Sequence, residues 1–143
     1  MSVENRKARF DYEILERFTA GIELLGSEVK AVRAGKISLV GAYVIIRGGE
    51  AYLSGARIQT YQPNNLSAAH DEARLKKLLL SKEELESLEK AENTKGLTIV
   101  PIKVYNTGRF LKLELGIARG KKSFDKRQAI KKQDVERDLK RSL

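Results

Sequence analysis

The chain has 143 residues, with 28 Lys plus Arg against 19 Asp plus Glu, a net charge of +9 and a pI near 9.8. Hydrophobic residues make up 41%, enough for one ordinary core at this length. There is no cysteine, which excludes disulfides, thiolate metal sites and cysteine nucleophiles, and no apolar run approaches the roughly eighteen residues of a membrane span.

The opening, "MSVENRKARFDY", is basic at Arg6, Lys7 and Arg9. No apolar region follows it, so it does not read as a secretory signal, and a cytoplasmic protein is expected. From Tyr12 to Leu25 one parity reads Tyr12, Ile14, Glu16, Phe18, Ala20, Ile22 and Leu24, against a mostly polar alternate set. That is a long strand, with Gly21 where a barrel strand bends. "GSEVKAVRAGK" then spaces Val29 and Val32 for one short helix that Gly35 closes.

"AYVIIRGGEAYLSGARI" reads as a hairpin around Gly48-Gly49. "QTYQPNNLSAAHD" reads as a loop with turn chemistry at Pro63-Asn64-Asn65. "DEARLKKLLL" places Leu75, Leu78 and Leu79 at helical spacing behind Asp71, and predicts a helix. "SKEELESLEKAEN" opens with the capping box Ser81 and Glu84 and predicts a second helix, which Gly96 ends.

"LTIVPIKVYNTGRFLKLELGIA" is the clearest strand pair. Val100, Ile102 and Val104 alternate before "NTG", and Leu111, Leu113, Leu115 and Ile117 after it. Pro101 marks an edge or a bulge. The body therefore reads as mainly β: five or six mostly antiparallel strands with inserted helices, closed into a small barrel that removes sheet edges.

The last segment differs. From Gly120 to Leu143 there are nine basic and four acidic residues, which supply five of the nine net charges. Val135, Leu139 and Leu143 would form only a thin stripe on a helix. Such a tail is expected to be mobile alone and to become helical against a partner.

Motifs for catalysis are absent. No P-loop, G-x-G-x-x-G or G-x-S-x-G occurs, and the single histidine, His70, cannot make a metal site alone. Carboxylates in "EELESLEKAE" read as a solvated helix face. No enzyme and no cofactor is expected. A pI above about 9 with basic ends is the electrostatic footprint of a nucleic-acid binder. Phe10, Tyr12 and Phe124 lie in or beside the basic runs, where rings stack on bases, although Tyr12 fits a strand core equally well. A generic RNA-binding barrel and a protein-interaction module with a folding tail both remain open on these grounds.

Five blocks narrow the choice. "NRKARFDY", "AGIELLGSEVKAVRAGK", "RLKKLLLSKEEL", "KGLTIVPIKVY" and "ARGKKSFDKR" occur in this order over nearly the whole chain. Together they closely resemble the SmpB family, the SsrA-binding proteins of bacterial trans-translation. The resemblance implies an oligonucleotide-binding (OB-like) closed antiparallel barrel with about three flanking helices over residues 1–119, and a basic tail over 120–143. It implies a monomer that binds the tRNA-like domain of tmRNA (SsrA RNA) and delivers it to stalled ribosomes. The body would stand in for the missing anticodon arm. The tail would enter the empty mRNA channel near the small-subunit decoding centre.

By this resemblance the RNA-binding surface includes Asn5, Lys7, Arg9, Thr19, Gly21, Glu28, Lys30, Arg33, Lys77, Leu79 and Ser81. The ribosome-binding tail begins with Gly120, Lys121, Lys122, Phe124, Asp125, Lys126 and Arg127. Many relatives carry Glu where Thr19 stands, and His or Asn where Ser81 stands. Phe10 and Phe124 likewise replace residues that hydrogen-bond. Thr19 lacks the carboxylate acceptor, Ser81 can still cap a helix, and Phe124 can still stack.

Overall fold

The computed structural model describes residues 1–60 and 73–121. The chain runs β1 (Ser2–Glu4), α1 (Arg6–Asp11), β2 (Tyr12–Ile22), α2 (Gly26–Arg33), β3 (Ile37–Ser38), β4 (Tyr43–Arg47) and β5 (Glu50–Ser54). It continues through β6 (Arg57–Ile58), β7 (Lys76–Leu79), α3 (Lys82–Glu92), β8 (Thr98–Thr107) and β9 (Phe110–Gly120). Seven strands form one antiparallel sheet in the order β1-β8-β9-β2-β7-β5-β4, and β3 pairs with β6 in a small second sheet.

The hairpins follow local chemistry. Gly48 and Gly49 both take positive φ, 59° and 74°, the primed turn whose twist matches two antiparallel strands. β4 and β5 pair across it from Arg47↔Glu50 to Tyr43↔Ser54. α3 starts with the expected capping box: Ser81 Oγ accepts from Glu84 N at 3.2 Å, and Glu84 Oε1 accepts from Ser81 N at 3.0 Å.

The expected helix over "DEARLKKLLL" is not found. Within its described part, residues 73–80, Lys76–Leu79 form strand β7, paired with β2 and β5, while Asp71 lies outside the described residues. The physical reason is Lys76. It is fully buried, and its ammonium donates to Ala56 O at 3.0 Å and Arg74 O at 2.8 Å. A lysine at an inward strand position hides the alternation that would have marked this stretch as β. The third helix is instead α1, which the sequence reading missed. Asn5 caps it, with Oδ1 accepting from Ala8 N at 3.2 Å.

The expected closed barrel is also not seen as strand pairing. The order ends at β1 on one side and β4 on the other. A carboxylate takes the place of a strand at the β4 edge: Glu92 Oε2 accepts from Ile46 N at 2.8 Å, and Glu92 Oε1 pairs with Arg47 at 2.9 Å. α3 therefore covers the edge that pairing would otherwise close.

Two bulges divide the apolar residues between the faces of the sheet. The β2–β9 register shifts between Ile14 and Glu16, and the β8–β9 register shifts between Pro101 and Lys103. The second is the bulge that Pro101 marks in the sequence. An extra residue reverses which parity points inward. Phe18 and Ala20 thus enter the main core with Ile99, Val104, Leu113 and Leu115. Tyr12 and Ile14, of the same sequence parity, instead pack with Ala8, Val100 and Ala118 under α1.

Gly116 makes this arrangement possible. A Cβ there would lie 2.8 Å from Ile14 Cγ2, 3.0 Å from the Glu16 carbonyl and 3.1 Å from Ile102 Cδ1. Gly116→Val should therefore destabilise the fold by about 1–3 kcal/mol through overpacking. Urea unfolding followed by circular dichroism checks this, with the midpoint expected to fall at an unchanged m-value.

Candidate nucleic-acid interface

α1 covers only one end of the outer sheet face. Among the described residues no other helix covers the rest, and cross-strand register lays out its side chains. Tyr105 of β8 faces Lys112 of β9, Lys112 faces Gly21 of β2, and Gly21 faces Leu79 of β7. One pleat along, Lys103 faces Glu114 and Glu114 faces Thr19. On the far side Lys77 faces Tyr52 of β5. Residues directly opposite one another share a face.

Leu79 is 50% exposed, an unusual place for an aliphatic strand residue. Gly21 lies beneath it: a Cβ on Gly21 would come within 3.3 Å of Leu79 Cβ. The glycine thus serves close approach between strands.

The charges around Leu79 are held loosely. Glu114 pairs with Arg17 at 2.8 Å and Lys103 at 3.7 Å, and Glu50 pairs with Lys77 at 3.5 Å. The basic partners are all more than a third exposed, or close to it, so each bridge is worth only about 0–1 kcal/mol. RNA phosphates can draw these cations away at little cost. Lys103 also stands 5.2 Å from the Tyr105 ring centroid.

Thr19, Gly21, Lys77 and Leu79 therefore meet on one open face. Arg17, Lys103, Tyr105 and Lys112 join them there without having been singled out. The polar parity of "FLKLELG" and "TIVPIKVY" was the available signal for the lysines.

Other residues of the expected surface have structural work. Asn5 is 3% exposed, and its Nδ2 donates to Pro101 O at 2.9 Å while its Oδ1 caps α1. Its amide has no face turned to solvent. Glu28 is fully buried, accepts from Leu25 N at 2.8 Å and forms an ion pair with Arg74, which ties α2 to the approach to β7. Ser81 is the α3 cap already described. Arg33 reaches the β8–β9 turn, with Nη2 donating to Arg109 O at 2.7 Å. Lys30 is exposed on α2.

Lys7 and Arg9 form a second group on α1. Lys7 pairs with Asp11 at 3.2 Å and Arg9 with Glu4 at 3.6 Å, all at the surface. Lys121 is fastened to the same helix: its N donates to Asp11 O at 2.9 Å and its Nζ to Arg9 O at 3.0 Å. β9 runs on through Gly120, so the start of the tail sits beside α1. Lys122, Phe124, Asp125, Lys126 and Arg127, and the helix expected of the tail, lie outside the described residues.

An antiparallel sheet with three helices and an open face of lysine, arginine, tyrosine and one exposed leucine defines a small β protein of the RNA-binding class. The family model for "SmpB protein" matches residues 2–143, and the chain belongs to that family. An SsrA-binding protein of Gloeobacter violaceus is 48% identical over 141 residues, which is 99% of this chain and 92% of the relative. One of Chlorobaculum tepidum is 49% identical over 139 residues, 96% of this chain and 88% of the relative. A solved structure described as "tmRNA-SmpB: a journey to the center of the bacterial ribosome" superposes with a TM-score of 0.71 at 45% identity. The match covers 90% of this chain and 94% of that one.

The division into structural and open residues is testable. Glu28→Ala leaves Arg74 without its partner and should cost about 3–5 kcal/mol, seen as an early thermal transition. Asn5→Ala should cost about 1–2 kcal/mol by loss of the cap, read as a smaller downward shift of the same thermal transition.

Proposed function

We propose that this protein binds the tRNA-like domain of tmRNA and delivers it to stalled ribosomes in trans-translation. The observation that carries the reading is the half-exposed Leu79 over Gly21 on the open, loosely paired basic face. An apolar contact amid exposed, weakly paired cations suits the surface of a folded RNA, recognised by shape and backbone with little base readout. No bond is made or broken by this protein, and peptide transfer stays with the ribosome. The family and the kind of assembly in the related solved structure support the assignment.

In this reading residues 1–119 are the RNA-binding body, a curled OB-like sheet with α3 sealing its seam. Residues 120–143 are a separate tail. Its basic charge suits an entry into the empty mRNA channel near the decoding centre, first by attraction and then by ordering. No helix among the described residues is long and apolar enough to cross a membrane. The reading places the protein, as a monomer, in the cytoplasm, where ribosomes are.

The test is binding to a tRNA-like tmRNA fragment against ordinary tRNA, across a salt series, for the intact chain and for one truncated after Gly120. Both should select the fragment, and log K should fall linearly with log salt. Only the intact chain should support tagging on stalled ribosomes. Equal competition by tRNA would overturn the specific assignment. Leu79→Ala should weaken fragment binding about tenfold or more while leaving the melting temperature nearly unchanged, since a half-exposed side chain contributes little to the core.

A further inference from the structure

The tip of the β8–β9 hairpin carries Phe110, 64% exposed, the most exposed large hydrophobic residue among the described ones. It pairs across the turn with Thr107 and stands two residues before Lys112 on β9. That spacing places it on the same outer face as Lys112, Gly21 and Leu79. Its neighbour Leu111 points the other way and packs against the main core. The Phe110 ring therefore adds nothing to either core.

The turn that carries the ring is nonetheless held in place. Gly108 takes a positive φ of 58°, as a two-residue hairpin loop with its first position left-handed requires. Arg33 pins the turn to α2 through Arg109 O at 2.7 Å. Lys112 Nζ stands 5.9 Å from the ring centroid. Tyr105 with Lys103 repeats the ring-and-lysine pairing further down the same hairpin. An exposed ring on an anchored turn, beside a cation, is the arrangement that takes a nucleobase on its face while phosphate meets the lysine.

We infer that Phe110 is a base-stacking contact that extends the RNA face from Leu79 out to the hairpin tip, where it receives an unpaired base of the folded RNA. The inference rests on the tmRNA-binding reading above and adds a position that the block resemblance does not include. Stacking does not discriminate among bases, because each presents a π-face, so this contact supplies affinity and orientation rather than sequence readout. Lys112 supplies the electrostatic part and Phe110 the part insensitive to salt.

The chain has no tryptophan, so Phe110→Trp introduces a single emission probe at the contact. Titrated with the tRNA-like fragment, its emission should be quenched as base and indole stack. Phe110→Ala should weaken binding about tenfold with the salt slope unchanged, and Phe110→Tyr should restore it. Lys112→Gln should instead lower the salt slope by about one. If Phe110→Ala binds within about twofold of the unaltered chain and the tryptophan emission is unmoved at RNA saturation, the inference falls, while selectivity of the unaltered chain leaves the functional reading intact. If the unaltered chain fails to prefer the fragment over tRNA, the functional reading falls. Quenching by either RNA then still supports a stacking contact, and its absence with both overturns it.

Discussion

The packing of Ile14 and Ile102 against Gly116 sets which parts of the sheet face water. A strand buries alternate residues on one side, so an uninterrupted β2 would send Tyr12, Ile14, Phe18 and Ala20 to the same face. The extra residue in β2 reverses that assignment partway along, and the extra residue in β8 does the same beside it. Both side chains then converge over Gly116, a β9 position with no Cβ. The outcome is a sheet with a continuous core on one face. On the other face it has a small core at one end only, roofed by α1. Among the described residues the remaining outer face is largely polar, and no helix roofs it.

That uncovered region is where binding chemistry collects. Its carboxylates, Glu114 and Glu50, hold three of the basic side chains near the sheet in bridges that solvent already weakens. The bridges keep like charges from repelling one another in the free protein and give way when a polyanion arrives. Leu79 and Phe110 are the two large apolar groups left out on this face. An apolar side chain that stabilises neither core is free to contribute to association, where its burial is worth more than in the isolated chain.

What the sequence disclosed follows from which interactions are local. The glycine pair at 48–49, the Ser81–Glu84 capping box and the alternation through "LKLELGIA" are decided within a few residues, and all three appear in the structure as read. α1 was hidden because it is six residues long and marginal alone. Its cap, Asn5, is anchored by the Pro101 carbonyl, 96 residues away in the chain. β7 reads as a helix because one of its two inward positions is a lysine, whose burial depends on carbonyls at Ala56 and Arg74 that no periodicity reveals. On the candidate site, Gly21 and Leu79 were found by resemblance, but their contact depends on β2–β7 register. Lys103, Tyr105 and Lys112 were passed over because a polar strand parity reads as ordinary solvent exposure until the neighbouring strands are known.

The residues matched by family resemblance divide into those that could touch RNA and those that hold the surface in shape, and the second group is not incidental to binding. Recognition of a folded RNA by its contour requires a protein face that does not yield, since any rearrangement would be charged against affinity. Asn5 locks α1 to β8, Glu28 with Arg74 locks α2 to the entry of β7, and Ser81 fixes where α3 begins. Each sits at one border of the open face. A substitution there would reach the RNA by tilting Leu79 or the hairpin tip, with no change in any contacting group. Motif residues can thus be shared across a binding family while being buried out of the ligand's reach.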